Sequence, residues 1–275
     1  MIDFLLNGER YHLHRSDDLT KPPLLLLHGF TSSSANWDHL LPVFGERYSV
    51  ITVDVLGHGR SASPPDPKRY TLPQVAADVI VLLNAWQIGQ TAVLGYSMGG
   101  RLALYLACIY PERVSQLILE SSSPGLVTEA ERAARRQSDE ALADWIEANG
   151  IEPFVDRWEK LPLWASQQQL PEDVRLRLHQ QRLQNNPTGL ANSLRGMGTG
   201  AQPSLWEKLP ALTLPTLLIA GELDTKFVAI NKEMAELLPN GRLHLIPQAG
   251  HTTHLERPSA FQTAVTTFLH SLPQL

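Results

Sequence analysis

The sequence holds one cysteine, Cys108, in 275 residues. That excludes an internal disulfide framework and any thiolate zinc site. Its apolar neighbours on a helical stretch make it a small buried residue. Positive charge is not in excess either: 23 Lys and Arg stand against 28 Asp and Glu, a net charge of −5. Such a chain has no basic footprint for a phosphate backbone, so no nucleic-acid partner is expected. No apolar run approaches the ~18 residues that a membrane helix needs. The opening "MIDFLLNGERYHLHRS" lacks both the basic start and the long apolar stretch of a signal peptide. The expected location is the cytoplasm, with no membrane association. There are no repeats and no low-complexity tracts.

What is present is an ordinary globular composition, 43% hydrophobic and 19% charged, in a chain long enough to bury a real core. An Asn-Gly pair inside "FLLNGERYHLH" separates two short apolar-patterned runs and predicts a hairpin. Short continuous apolar runs at 23–29, 48–54, 91–97, 114–123, 215–224 and 242–251 read as strands buried on both faces. Helical spacing lies between them, at 72–86, 100–111, 227–238 and 259–271. Strands alternating with helices imply an α/β fold, a mostly parallel twisted sheet with helices on both faces. The texture changes over 125–208, which is rich in Ala, Glu, Gln, Arg and Trp and shows no strand pattern. Residues 1–124 and 209–275 are therefore expected to form the core, and 125–208 a helical cap inserted after about the sixth strand.

Gly95-Tyr96-Ser97-Met98-Gly99 fits G-x-S-x-G. The bare pattern is only suggestive, but here it follows a buried strand and opens a helix, which is the setting that a nucleophile elbow requires. Such a turn is too sharp for side chains two residues either side of the serine, hence the glycines. A serine there needs a base and an orienting acid, in the order Ser, Asp, His. Asp224 follows one predicted strand in "AGELD" and His251 follows the next in "PQAGH". Both fall on the same sheet edge as Ser97. His28, His244 and His254 are rival bases that do not fit the triad order. The plain alternative for Asp224 is a loop acid bonding its own backbone. The backbone N–H groups of Met98, after the serine, and of Phe30, after "LLLLHG", are the candidate donors to a developing oxyanion.

Arg101 stands four residues after Ser97, early in the elbow helix, although cations are normally placed near helix C-termini. It either pairs with a surface acid or faces the cleft. The insertion adds Arg132, Arg135 and Arg136, which share one helix face by their i, i+3 and i+4 spacing, and Arg182. Arginines aimed at a cleft suit a small-molecule substrate with several carboxylates. An ester or lipid would want an apolar cap instead.

"HGF", "DVLGHGRS", "GYSMGG", "GELD" and "AGH" occur in the order found in the α/β-hydrolase superfamily, which the chain resembles over nearly all of its core. Serine at the elbow disfavours the branches that use an aspartate nucleophile. More specifically, "ESSSPGL", "ERAARRQSD", "FVDRWEKLPLWAS", "RLQNN", "LRGMGTGAQPSLW" and "GELDTKF" are similar to the 2-succinyl-6-hydroxy-2,4-cyclohexadiene-1-carboxylate synthase family of menaquinone or phylloquinone biosynthesis. That resemblance implies a lyase that expels pyruvate from a cyclohexene bearing three carboxylates, with no metal and no organic cofactor. It implies Ser97, activated by His251 and Asp224, as the base, and the Met98 and Phe30 amides as the enolate's donors. It also implies substrate contacts at Tyr96, Arg101, Arg135, Trp158 and Arg182, and leaves Arg132 and Arg136 as surface charges. A tryptophan in a helical lid can equally serve as packing. A serine hydrolase of the same fold keeps the same triad. A silent ligand-binding protein would be expected to lack a triad member.

Overall fold

Asn7 and Gly8 take φ of 47° and 88°, the left-handed pair that a two-residue hairpin turn demands. They join β1 (Ile2–Leu6) to β2 (Glu9–Arg15) in antiparallel register. This computed structural model describes residues 2–271. The remaining strands are β3 (Pro23–Leu27), β4 (Ser49–Val53), β5 (Thr91–Tyr96), β6 (Val114–Glu120), β7 (Thr216–Gly221) and β8 (Gly241–Ile246). They form one eight-stranded sheet in the order β1-β2-β4-β3-β5-β6-β7-β8. Every pair from β4 to β8 is parallel, and β2 runs antiparallel to β4. The apolar runs at 114–123, 215–224 and 242–251 extend past the strands. Pairing stops at Glu120, Gly221 and Ile246, where the chain leaves the sheet to build its C-terminal edge.

The helices are α1 (Leu41–Phe44), α2 (Leu72–Ala85), α3 (Met98–Ile109), α4 (Glu129–Asn149), α5 (Ile151–Trp158), α6 (Glu172–Leu183), α7 (Pro187–Met197), α8 (Thr225–Leu237), α9 (Thr253–Glu256) and α10 (Pro258–His270). Alternation along β3 shows how the layers form. Leu25 and Leu27 join a cluster with residues of α2, α3 and α8. Leu24 and Leu26 join the opposite cluster, with Trp37, Phe44 and Phe261. Side chains one residue apart point to opposite faces, so a strand covered on both sides must be apolar throughout. Cys108 is partly buried on α3, and burial pushes its thiol up to about 11.

Between β6 and β7 the described chain holds helices and 3-10 turns only. Thr128 starts α4 with a full capping box, its hydroxyl accepting from the Glu131 amide while the Glu131 carboxylate accepts from the Thr128 amide. Gly150, at φ 83°, ends the helix. Ala143, Ile146, Phe154, Leu190 and Leu194 make a separate apolar cluster from α4, α5 and α7, and Phe30 and Trp158 pack on it. Phe30 also borders the main core, so it spans the seam between the sheet and these helices. Among the described residues, no helix is long and apolar enough to cross a membrane.

Candidate active site

Ser97 sits between β5 and α3 with φ 51° and ψ −107°. That is left-handed backbone, which a non-glycine residue adopts at a cost of order 1–3 kcal/mol. The flanking glycines make the turn sterically possible. A Cβ on Gly99 would lie 2.2 Å from the Leu27 carbonyl oxygen, and one on Gly95 would lie 2.3 Å from that of Gly99. The result lifts the Ser97 hydroxyl above the C-terminal edge of the sheet.

Two loops deliver its partners. Asp224 follows β7 at the N-cap position of α8, and His251 follows β8. The His251 Nδ1–H donates to Asp224 Oδ2 at 2.6 Å, and Nε2 lies 3.0 Å from Ser97 Oγ. Both distances are within hydrogen-bond range for a nucleophile, base and orienting acid. Both Asp224 and His251 are buried. The rings of Phe227 at 4.7 Å, Tyr96 at 5.5 Å and Trp164 at 5.6 Å surround the imidazole.

The rival histidines of the sequence stand elsewhere. His28 Nδ1 donates to the Gly29 carbonyl and its Nε2 accepts from the Val55 amide. His254 Nδ1 donates to Glu120 Oε2 at 2.6 Å. Glu120 Oε1 also accepts from the Thr253 hydroxyl and the His254 amide. The buried carboxylate at the end of β6 thus clamps the segment that follows His251. Glu256 clamps the same loop by accepting from the Gly250 and Thr252 amides. His244 lies on the edge strand β8, facing solvent.

A cavity of about 370 Å³ opens over Ser97. Phe30 and Met98 both line it, and neither amide donates to a backbone carbonyl among the described residues. Two free donors beside a nucleophile can serve an oxyanion.

Arg101 lines the same cavity. Among the described residues it does not pair with an acid. Its Nη1 donates to the Met197 carbonyl at 2.6 Å and to Gln202 Oε1 at 3.2 Å. Burial, and then the nearby Arg135, pull its guanidinium down to about 10, so it stays charged at neutral pH. Arg135 donates to Asp139 at 2.7 Å and also borders the cavity. Arg132 and Arg136 both pair with Glu129.

Trp158 lines the cavity against Phe30, with ring centroids 5.5 Å apart, and its indole N–H has no partner among the described residues. The Tyr96 hydroxyl is 2.9 Å from Thr252 Oγ1, and burial raises its pKa well above the usual phenol value. Arg182 is placed differently. It is 8% exposed, donates to Glu159 at 2.7 Å and to Gln167 at 3.2 Å, and stacks under Trp164. It is not among the residues that line the main cavity.

Several site residues carried no readable signal. Trp164 comes from a 3-10 turn at Pro162–Gln169 that brings it over His251. Gln167, on the same turn, donates to Thr252 Oγ1 at 2.9 Å and so ties the inserted segment to the His251 loop. Phe227 could have been found, since it stands three residues after Asp224 on a helix that starts there. Among the described residues, no group of three or more His, Cys, Asp or Glu side chains is arranged to hold a metal.

This sheet order, with its serine elbow and the acid and base on successive strand ends, defines a class. The profile of the alpha/beta hydrolase fold family matches residues 22–258. A Bacillus subtilis (strain 168) protein, named provisionally as a 2-succinyl-6-hydroxy-2,4-cyclohexadiene-1-carboxylate synthase, is 45% identical over 97% of each chain. The synthase of that name from Enterobacter sp. (strain 638) is 33% identical over 90% of this chain and 92% of its own. The solved structure of MenH from S. aureus superposes with a TM-score of 0.90 at 41% identity, covering 95% of this chain and 98% of that one. The chain belongs to the alpha/beta hydrolase fold family and, within it, to the family of the 2-succinyl-6-hydroxy-2,4-cyclohexadiene-1-carboxylate synthases.

Proposed function

We propose that this chain is a carbon–oxygen lyase. It eliminates pyruvate from 2-succinyl-5-enolpyruvyl-6-hydroxy-3-cyclohexene-1-carboxylate and leaves the conjugated 2,4-diene, a step of menaquinone or phylloquinone biosynthesis. The observation that carries this reading is the combination in one cavity of the Ser97–His251–Asp224 chain with the cations Arg101 and Arg135. A hydrolase of neutral esters has no use for two guanidinium groups beside its serine, whereas a tricarboxylate needs them.

In this reading residues 125–208 act as a cap over the core, and the substrate sits between them. Ser97, its proton drawn toward His251, removes the ring proton beside the succinyl ketone. The Met98 and Phe30 amides hold the enolate oxygen that forms. The electron pair moves through the ring double bond and expels the enolpyruvyl oxygen, so no acyl-enzyme is needed. Asp224 fixes the imidazole tautomer and stabilises its protonated form. Arg101 and Arg135 hold carboxylates, Tyr96 packs against the imidazole, and the Trp158 ring walls the substrate beside Phe30. Arg182 acts through Gln167 and Thr252 from behind Trp164. The same reading has the chain working in the cytoplasm on a small molecule, without nucleic acid or cofactor.

The test is pyruvate release from freshly made substrate, coupled to lactate dehydrogenase, against the uncatalysed decay. Wild-type protein should accelerate it strongly. Ser97→Ala should lose roughly 10²–10⁴ of that rate, the range for a positioned base, with an unchanged circular dichroism spectrum. No acceleration, together with turnover of a simple nitrophenyl ester, would return the chain to the hydrolases.

A further inference from the structure

Lys226 stands on the first turn of α8, two residues after Asp224, and lines the catalytic cavity. Its ammonium lies 5.6 Å from the Phe227 ring centroid, and no carboxylate among the described residues pairs with it. The first turn of α8 carries no acid. A cation there opposes the helix macrodipole, and among the described residues only the Phe227 ring offsets this.

The other cavity cations stand together elsewhere. Arg101 bonds to Met197 and Gln202, and Arg135 is close enough to depress the Arg101 guanidinium. Arg101 reaches from α3, and Arg135 from α4, to the side of the cavity formed by the end of α7 and the segment after it. Arg182 is already held by Glu159 and Gln167. Lys226, Leu163 and His251 form a different wall, one that also borders an adjoining cleft.

We propose that Lys226 binds the carboxylate of the departing enolpyruvyl group, while the Arg101–Arg135 wall binds the carboxylates that stay on the ring product. This rests on the lyase reading above. The chemistry supports the division. The proton leaves ring carbon 2 and the oxygen leaves carbon 5, across the ring, taking the C–O electron pair as the enolate of pyruvate, which then takes a proton on carbon. Charge therefore grows on the side of the ring away from the enolate formed at the succinyl ketone. A cation near that end both places the leaving group and stabilises it as it departs.

The experiment is inhibition of the pyruvate-release reaction by each product separately, for wild type, K226M, K226R and R182M. For K226M we expect a KM about tenfold higher and a pyruvate inhibition constant about tenfold higher, the scale of one lost charge-assisted contact. Inhibition by the ring dicarboxylate should change less than about twofold, and K226R should recover most of both losses. The melting temperature of K226M should be equal to or above that of wild type, because the side chain opposes the helix dipole. Wild-type turnover with unaltered pyruvate inhibition in K226M would overturn the proposal and leave the lyase reading intact. So would loss of pyruvate inhibition in R182M instead. Failure of the wild type to accelerate pyruvate release would overturn both.

Discussion

Arg101 shows how one residue's position and its charge state are set by different things. Four residues after Ser97 on a helix, its side chain must lie over the serine's turn. Whether it meets an acid or a cavity is decided by the chain 96 positions later, where the Met197 carbonyl accepts from it. Replacing it with methionine removes a charge from the cavity while keeping much of the side-chain volume. R101M should lose about 1.5–3 kcal/mol of transition-state binding, one charge-assisted contact, read as a roughly 10–150-fold fall in kcat/KM for pyruvate release. The rise of wild-type KM with ionic strength should flatten in R101M. An equally steep salt dependence in the variant would mean that Arg101 only supports the wall. Gly99 offers a complementary test of geometry. With the Leu27 carbonyl oxygen 2.2 Å from the site of a Cβ, Gly99→Ala must push α3 away from β3. Activity should fall with the elbow, and the variant should melt well below wild type.

At the scale of the element, α4 carries two carboxylates whose titration is shifted by its own first turn. Glu129 is held below the usual carboxylate range by hydrogen bonds from Arg136 and then Arg132, and Glu131 by the Thr128 amide and then its hydroxyl. Both carboxylates therefore bind protons less readily in the folded helix than in the unfolded chain. Their stabilisation of the first turn is complete above the ordinary value of 4.5. It is lost as pH falls through the depressed folded values. Hydrogen-exchange protection of the first-turn amides of α4 should drop as pH is lowered from about 5 toward 3, ahead of amides in the core helix α3. A uniform decline in both helices would show that the capping box does not set local stability. The same helix explains a limit of pattern reading. Arg132, Arg135 and Arg136 share a face by spacing, yet only Arg135 borders the cavity. The other two are drawn to Glu129, a choice made by a turn geometry that spacing does not contain.

For the whole molecule, the net charge of −5 contrasts with a cavity lined by Arg101, Arg135 and Lys226 against one carboxylate, Glu131, which the α4 capping box already holds. Crowding like charges in a partly enclosed space costs stability until an anion arrives. The ring dicarboxylate product at about 100 times its Kd should add about 2.7 kcal/mol of stability, seen as a rise in melting temperature that shrinks with added salt. A neutral ring analogue should give no such rise. A salt-independent shift would locate the binding energy in the apolar wall of Phe30, Trp158 and Trp164 rather than in the cations. The core itself is legible in the same terms. Leu24 through Leu27 are all buried, so Leu25→Ala should cost about 2–5 kcal/mol without touching the site.

Much of this architecture is written in local pattern. Continuous apolar runs become the parallel strands because a two-face-covered strand tolerates no polar alternation. The Asn-Gly pair makes the hairpin because both positions need positive φ. The G-x-S-x-G glycines follow from steric exclusion, and the places of Asp224 and His251 follow from the strand ends that precede them. Those features are short in range, so the sequence by itself determines them. The tertiary structure decided what depends on chain segments far apart meeting. It turned Arg182 toward Glu159 and under Trp164, set Trp164 over His251 from a 3-10 turn, placed Glu120 as a clamp 134 positions from His254, and left Lys226 without a carboxylate partner among the described residues. Side-chain partners across such separations are chosen by packing and by competition among nearby charges, and no local periodicity records the outcome.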